Sequence, residues 1–167
     1  VVGHRVVHGG TVFTGSVPID ARAAEEIARL SELAPLHNPP ALAAIEAAQG
    51  AIPGAPHVAV FDTAFHSTMP PEAYTYAIPV DVARENDIRR YGFHGTSYRY
   101  VTRRSAALLG VPQGDVNLII CHLGNGASMA AIRGGVSVDT TMGLTPLDGV
   151  VMAQNPAASS AQTRGST

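Results

Sequence analysis

The sequence has little charge, a single cysteine and no long apolar run, and each shortage excludes a class of protein. With only Cys121 in 167 residues no disulfide framework can form. We expect this residue to lie in an apolar strand and to pack in the core. A net charge of −2, from 11 basic and 13 acidic residues, gives no electrostatic reason to expect nucleic acid or an anionic membrane as partner. No apolar stretch approaches the roughly 20 residues that span a bilayer, and the first residues lack a signal-peptide pattern. We therefore predict a cytoplasmic protein that binds small molecules.

The apolar content and its spacing predict an α/β fold. Apolar residues make up 46% of the chain, enough for one ordinary domain or for parts of two larger ones. Their spacing over 20–34 predicts an amphipathic helix capped by Asp20, and Asn38 is placed to cap a second helix that Gly50 should close. A short strand over 57–62 follows. Strands and helices thus alternate, which is typical of α/β proteins.

The second half of the chain changes character. We predict two short helices within 70–90 and a longer one that Thr96 or Ser97 caps and Gly110 ends. Three closely spaced strands follow, near 116–121, 127–132 and 136–140. The change predicts a domain boundary near 111–115. Residues 153–167 lack apolar periodicity, so we expect a disordered tail there.

The segment 117–133, Asn-Leu-Ile-Ile-Cys-His-Leu-Gly-Asn-Gly-Ala-Ser-Met-Ala-Ala-Ile-Arg, is predicted to form two strands joined by a tight turn. Gly124 and Gly126 can reach positive φ and let backbone N–H groups approach a phosphate, while Asn125 and Ser128 add side-chain donors. The Asn125-Gly126 pair alone favours a plain β-hairpin with a type I′ turn over a phosphate site. Both interpretations stay open on this segment alone.

Histidines, one acid and one arginine are the other candidate functional groups. His4 and His8 would share one helix face, but the valine-rich sequence around them predicts a strand, on which four residues span about 13 Å, too far for one ion. Asp62 ends a buried strand, where open α/β sheets place groups that face a ligand, although it could equally cap a turn. The Arg5 fork suits a carboxylate or phosphate, and a surface ion pair is the alternative.

Several long motifs, in order, resemble the acetate kinase family. They are Gly-His-Arg-Val-Val-His-Gly-Gly at 3–10, Leu-Ala-Pro-Leu-His-Asn-Pro-Pro at 33–40, Phe-Asp-Thr-Ala-Phe-His at 61–66, Tyr-Gly-Phe-His-Gly-Thr-Ser at 91–97, His-Leu-Gly-Asn-Gly at 122–126 and Ser-Val-Asp-Thr-Thr-Met-Gly-Leu-Thr-Pro-Leu at 137–147. The resemblance implies a partial RNase H-like fold of the sugar kinase/actin-like group. Residues 1–112 would belong to the N-terminal, acyl-binding domain and 113–152 would begin the C-terminal domain with a β-hairpin phosphate loop.

The resemblance also implies an activity and roles for single residues. The family transfers a phosphoryl group between ATP and acetate, making acetyl phosphate, with Mg²⁺ and as a homodimer. Arg5 would grip the substrate, Asp62 would be the catalytic acid and His94 would stabilise the transferring phosphoryl group. We expect these three to converge on one cleft. The remaining assignments are Val7, Leu36, Phe93 and Pro146 for the methyl pocket, His37 as another active-site histidine, and His122, Leu123, Gly124, Asn125 and Gly126 for the ATP phosphates.

Departures from the family pattern bear on activity. The family's opening phosphate-binding strand and its adenosine-binding half are missing from this sequence, together with its magnesium ligands, and Tyr98 stands where the family commonly has His. We interpret the chain as an internal piece of an acetate kinase that is inactive in isolation. A butyrate kinase-like phosphotransferase and a non-catalytic remnant are the alternatives.

Overall fold

A computed structural model describes residues 1–152, in which strands and helices alternate before a run of three strands. The predicted tail at 153–167 lies outside the described residues. The elements in chain order are β1 (Val2–Val6), β2 (Val17–Pro18), α1 (Ala21–Arg29), α2 (Asn38–Ala51), β3 (His57–Phe61), α3 (Pro71–Tyr74), α4 (Val80–Glu85), α5 (Gly95–Leu109), β4 (Leu118–Leu123), β5 (Ala127–Arg133) and β6 (Val136–Thr140).

The first sheet brings the ends of two parallel strands to the same edge. Its order is β1-β3-β2, with β1 and β3 parallel and Val6 opposite Phe61. Helices α1 and α2 cover it, and the carboxylate of Asp20 caps α1 by accepting from the Ala23 N–H at 2.8 Å. Because Asp62 directly follows β3, this sheet places its carboxylate beside the end of β1.

The second sheet is antiparallel, in the order β4-β5-β6. Helix α5 packs on it through Tyr98, which shares a core cluster with Ile120, Ala130 and Ile132. The chain passes from the first sheet to the second between α5 and β4, in the region where we expected a domain boundary. The division into two domains stays a prediction.

A buried histidine and an arginine connect the two sheets. His66 lies within hydrogen-bond distance of Ser137 Oγ on β6, at 2.7 Å, and of the Phe93 carbonyl, at 3.0 Å. Arg90 Nη1 donates to the carbonyls of Thr140 at 2.8 Å and Thr141 at 3.3 Å. These contacts fix the segment after β6, which closes one wall of the candidate site.

Two local predictions fail because long-range contacts decide them. Asn38 is the first residue of α2, not its cap, and its buried amide instead pairs with the backbone N–H and carbonyl of His8 at 3.1 and 3.0 Å. Cys121 is exposed rather than in the core, because the face of β4 that carries it and Ile119 is uncovered in the described structure. Within residues 1–152, no helix is long and apolar enough to cross a membrane.

Candidate active site

A cavity of about 180 Å³ gathers residues from both sheets and from the segment after β6. It has a polar side, formed by Arg5, Asp62 and His94, and an apolar side. The other lining residues are Val7, His37, Phe93, Gly126, Met142, Pro146, Leu147 and Met152. The structure thus brings Arg5, Asp62 and His94 to one cleft, as the motifs led us to expect.

The Asp62 carboxylate is completely buried and holds Arg5 through both oxygens. Arg5 Nε donates to Oδ1 at 3.1 Å and Nη2 donates to Oδ2 at 2.5 Å, which is the fork geometry of a strong charge-assisted pair. Thr96 Oγ1 also donates to Oδ1, at 3.1 Å. In the described residues Nη1 of Arg5 has no partner, and the side chain is 59% exposed, so this nitrogen is open to an anion.

Helix α5 begins with close backbone contacts that place His94. The Gly95 N–H donates to the Asp62 carbonyl at 3.0 Å, and a Cβ at Gly95 would lie only 2.1 Å from that oxygen, so the approach requires glycine. His94 is the cap residue in place of Thr96 or Ser97, with φ of 59°, a left-handed conformation that non-glycine residues rarely adopt. Thr96 is free to bind Asp62 because it is not the cap.

His94 is held from two sides by the second sheet. Its Nδ1 lies 2.8 Å from Ser128 Oγ on β5, and its ring stacks on that of His122 with 4.0 Å between centroids. Burial, together with His122 and Arg5 and against the opposing effect of Asp62, lowers the pKa of His94 to about 4. His94 is therefore a neutral imidazole at pH 7.

The apolar side of the cavity suits a small hydrocarbon group. Val7, Phe93, Met142 and Met152 form one buried cluster, and Pro146 also lines the cavity. His37 lies at the exposed rim. Leu36 differs from the prediction: it lies in the turn before α2, is 83% exposed and does not line the cavity.

The β4–β5 turn meets the cavity only through Gly126. Neither Gly124 nor Gly126 has positive φ, so the expected left-handed turn, type I′ or otherwise, does not form; instead the Gly124 N–H donates to the Gly126 carbonyl at 3.1 Å. Leu123 is 78% exposed. Ser128 is buried and engaged with Tyr98 and His94, so its hydroxyl is not a free phosphate donor. Phosphate binding by the turn stays a prediction.

The histidines near the start of the chain have structural partners. His4 Nε2 lies 2.8 Å from His57 Nδ1 on the neighbouring strand, and His8 Nδ1 accepts from the Gly10 N–H at 3.0 Å. In residues 1–152 no group of three or more His, Cys, Asp or Glu side chains could hold a metal ion.

Sequence reasoning missed five residues of the site, one of them Leu147, which lines the cavity. Thr96 was considered only as a helix cap and Ser128 only as a phosphate donor. In the structure Thr96 binds Asp62 and Ser128 contacts His94. Met142 and Met152 line the apolar side and carried no signal, because a methionine in a loop has no pattern that predicts burial.

Comparison with known proteins agrees with this geometry. The family model described as the Acetokinase family matches residues 1–157. The chain belongs to the acetokinase family. It is 58% identical over 151 residues to an acetate kinase of Geobacter metallireducens, which covers 90% of this chain and 36% of that protein. An acetate kinase of Shewanella pealeana is 60% identical over 151 residues, again 90% of this chain and 38% of that protein.

Solved structures give the same result for the acetokinase fold. The crystal structure of Porphyromonas gingivalis acetate kinase matches with a TM-score of 0.87 and 42% identity, over 99% of this chain and 43% of that one. A propionate kinase from Francisella tularensis matches with a TM-score of 0.87 and 46% identity, over 98% and 44%. The α/β, partial actin-like fold is confirmed. The chain spans about two-fifths of the length of these relatives.

Proposed function

We propose that this chain supplies the acyl-binding side of a phosphotransferase that moves a phosphoryl group between ATP and acetate. The observation that carries the proposal is one small cavity with a buried, bidentate Arg5–Asp62 pair and His94 on one side and an apolar cluster on the other. A short carboxylic acid has the same two ends. Family membership supports phosphoryl transfer to a carboxylate.

Arg5 is the residue that recognises the acid. Asp62 fixes the guanidinium plane through Nε and Nη2, and Nη1 remains to donate to a carboxylate or acyl phosphate oxygen. Val7, Phe93 and Pro146 would contact the methyl group. We favour acetate over a four-carbon acid because Phe93 and Met142, both almost fully buried, occupy the apolar side of the cavity.

The reaction requires no proton transfer. A carboxylate oxygen attacks the γ-phosphorus of ATP, a new O–P bond forms, the bond to the β–γ bridging oxygen breaks, and ADP leaves with its electron pair. Since acetate is already ionised at neutral pH, we propose that Asp62 acts by orienting Arg5 rather than as an acid. His94 would donate from Nε2 to a phosphoryl oxygen, the electrostatic help that phosphoryl transfer needs.

The described residues fit the phosphates of ATP only in part and do not fit a magnesium ion. Gly126 lines the cavity, but the Gly124 N–H already has a backbone partner. Among residues 1–152, Asp62 is the only carboxylate that lines the cavity, and its oxygens accept from Arg5 and Thr96. We therefore propose that the isolated chain makes no acetyl phosphate at an appreciable rate. A homodimer and a cytoplasmic location stay predictions.

Ligand binding tests the proposal without requiring turnover. We expect isothermal titration calorimetry of the chain to show saturable binding of acetyl phosphate, weakened about tenfold or more in Arg5→Ala because a hydrogen bond to a charged group is lost. Arg29→Ala is the matched control, since Arg29 pairs with Glu26 on the surface. Butyryl phosphate should bind more weakly than acetyl phosphate. Absence of binding, or equal affinity in Arg5→Ala, would contradict the proposal.

A hydroxamate assay with acetate and Mg-ATP tests the second part. We expect a background rate from the purified chain. Turnover at a level normal for complete acetate kinases would show that the residues we consider necessary are dispensable.

A further inference from the structure

Three side chains form a hydrogen-bonded row that ends at the cavity. Tyr98 on α5 contacts Ser128 on β5 through its hydroxyl, and Ser128 Oγ lies 2.8 Å from Nδ1 of His94. Tyr98 and Ser128 have no exposed surface. The opposite nitrogen of His94, Nε2, lies beside Gly126, where a Cβ would come within 3.3 Å of it, and Gly126 lines the cavity.

Hydrogen-bond accounting gives this row a direction. The Tyr98 hydroxyl is buried and must donate its hydrogen, and in the described structure Ser128 Oγ is its side-chain partner. Ser128 has one hydrogen of its own. Since its oxygen accepts from Tyr98, that hydrogen is directed to Nδ1 of His94. The reverse order would leave the buried Tyr98 hydrogen without an acceptor. The population of that arrangement should be lower by roughly tenfold or more.

His94 can carry only one hydrogen at neutral pH. Burial, the stacked His122 ring on β4 and Arg5 on β1 lower its pKa to about 4, and Asp62 after β3 opposes them only in part. A neutral imidazole has one protonated nitrogen and one acceptor nitrogen. If Nδ1 accepts from Ser128, the hydrogen must be on Nε2.

We propose that Tyr98 and Ser128 are positioning residues that hold His94 in the tautomer protonated at Nε2, the nitrogen on the cavity side. The proposal rests on the proposed function for its purpose: an Nε2–H can donate to an anionic phosphoryl oxygen, whereas the other tautomer would present a lone pair and repel it. Ser128 therefore acts on the site through Nδ1 of His94 and not through the direct phosphate contact that we expected.

The tautomer can be measured without substrate by NMR of the chain labelled with ¹⁵N-histidine at pH 7. Long-range ¹H–¹⁵N correlation separates protonated from unprotonated ring nitrogens, and loss of a signal set in His94→Gln assigns it. We expect a protonated Nε2 and an unprotonated Nδ1 in the wild type. In Tyr98→Phe and in Ser128→Ala the shifts of the two nitrogens should converge, because the bias is removed.

Tyr91→Phe is the matched control, since it removes another buried tyrosine hydroxyl, which donates to the Asp87 carbonyl at 2.9 Å. It should leave the His94 shifts unchanged even if it costs stability. A wild type protonated at Nδ1 overturns the proposal whether or not any variant folds. Unchanged His94 shifts in folded Tyr98→Phe or Ser128→Ala would also overturn it.

These outcomes are separate from the test of the proposed function. A chain with His94 protonated at Nε2 that fails to bind acetyl phosphate would contradict the function and leave the tautomer assignment standing. A chain that binds acetyl phosphate through Arg5 but carries the proton on Nδ1 would do the reverse.

Discussion

The two walls of the candidate site differ in how firmly this chain's own contacts fix them. One is the acid-binding wall around Asp62, where the backbone carbonyl of Asp62 accepts from Gly95 at 3.0 Å and its carboxylate accepts from Thr96 and Arg5. On the β4–β5 turn, the internal bond from Gly124 to Gly126 is the backbone contact, and Leu123 is 78% exposed. The acid-binding wall is therefore preorganised by contacts to neighbouring elements, whereas the backbone bond of the turn is internal to it.

This difference agrees with the roles that we propose: Arg5 and Asp62 bind the acid, and the β4–β5 turn contacts a phosphate. A carboxylic acid binds more tightly to a guanidinium whose orientation is fixed in advance, because binding then costs no side-chain entropy. A turn that contacts a phosphate can be ordered by the phosphate itself. The predictions that follow test each wall, beginning with the largest effect.

The largest effect is expected at the contact between Gly95 and Asp62. In Gly95→Ala the new Cβ would lie 2.1 Å from a backbone oxygen that cannot rotate away, so the start of α5 must shift. We expect a loss of about 3 kcal/mol or more in the free energy of unfolding, measured with urea. Gly124→Ala is the control on the other wall, because its Cβ would make an ordinary 3.5 Å contact with the Gly126 carbonyl. Equal losses in both variants would remove the contrast between the walls.

The second prediction concerns His66, which connects the first sheet to β6. Burial lowers its pKa from 6.5 to about 4. Above pH 6.5 the imidazole is neutral in both the folded and the unfolded state, so its titration adds no pH dependence to the free energy of unfolding. Between pH 6.5 and about 4 the unfolded state binds more protons, and stability falls by up to about 1.4 kcal/mol per pH unit as pH falls.

His66→Asn should therefore be less stable than the wild type at pH 7 but lose less stability on acidification. Urea unfolding at pH 7, 6 and 5 measures the slopes. Other buried histidines, among them His8 with a pKa of about 4, contribute equally to both proteins and cancel in the comparison. Parallel slopes in the two proteins would show that the pKa of His66 is the same in the folded and unfolded states.

The polar side of the cavity could be predicted from sequence because it depends on strand ends and on a local motif. Asp62 directly follows a buried strand, and His94 stands in the motif Tyr-Gly-Phe-His-Gly-Thr-Ser at 91–97, whose Gly95 permits the close approach to Asp62. Both signals are local and survive without coordinates.

The parts that could not be predicted depend on contacts distant in sequence. Asn38 looks like a cap until His8, thirty positions away, claims its amide. Ser128 looks like a phosphate donor until Tyr98 and His94 engage it. The turn is a separate, local case: Leu123 lies opposite Ala127, so three residues connect the strands, and a type I′ turn has two.

A smaller effect is expected where the turn touches the other wall. In Gly126→Ala the new methyl would lie 3.3 Å from Nε2 of His94, so the ring must give by a few tenths of an ångström. We expect stability to fall by about 1 kcal/mol at most, with a severalfold weaker affinity for acetyl phosphate because the donor is displaced. Urea unfolding measures the change in stability, and isothermal titration calorimetry measures the change in affinity. An unchanged affinity would mean that the position of His94 does not matter for the ligand.

The smallest effect is expected at Leu36, which the family motif assigned to the methyl pocket. Its side chain is 83% exposed in the turn before α2, so truncation removes little buried area and opens no cavity. Leu36→Ala should change the affinity for acetyl phosphate less than about twofold, within the usual range of surface substitutions. Val7→Ala is the matched comparison, because Val7 is buried in the apolar cluster and lines the cavity. If Leu36→Ala weakened binding as much as Val7→Ala, the turn before α2 would have to fold over the ligand, and the acid-binding wall would be less preorganised than its contacts indicate.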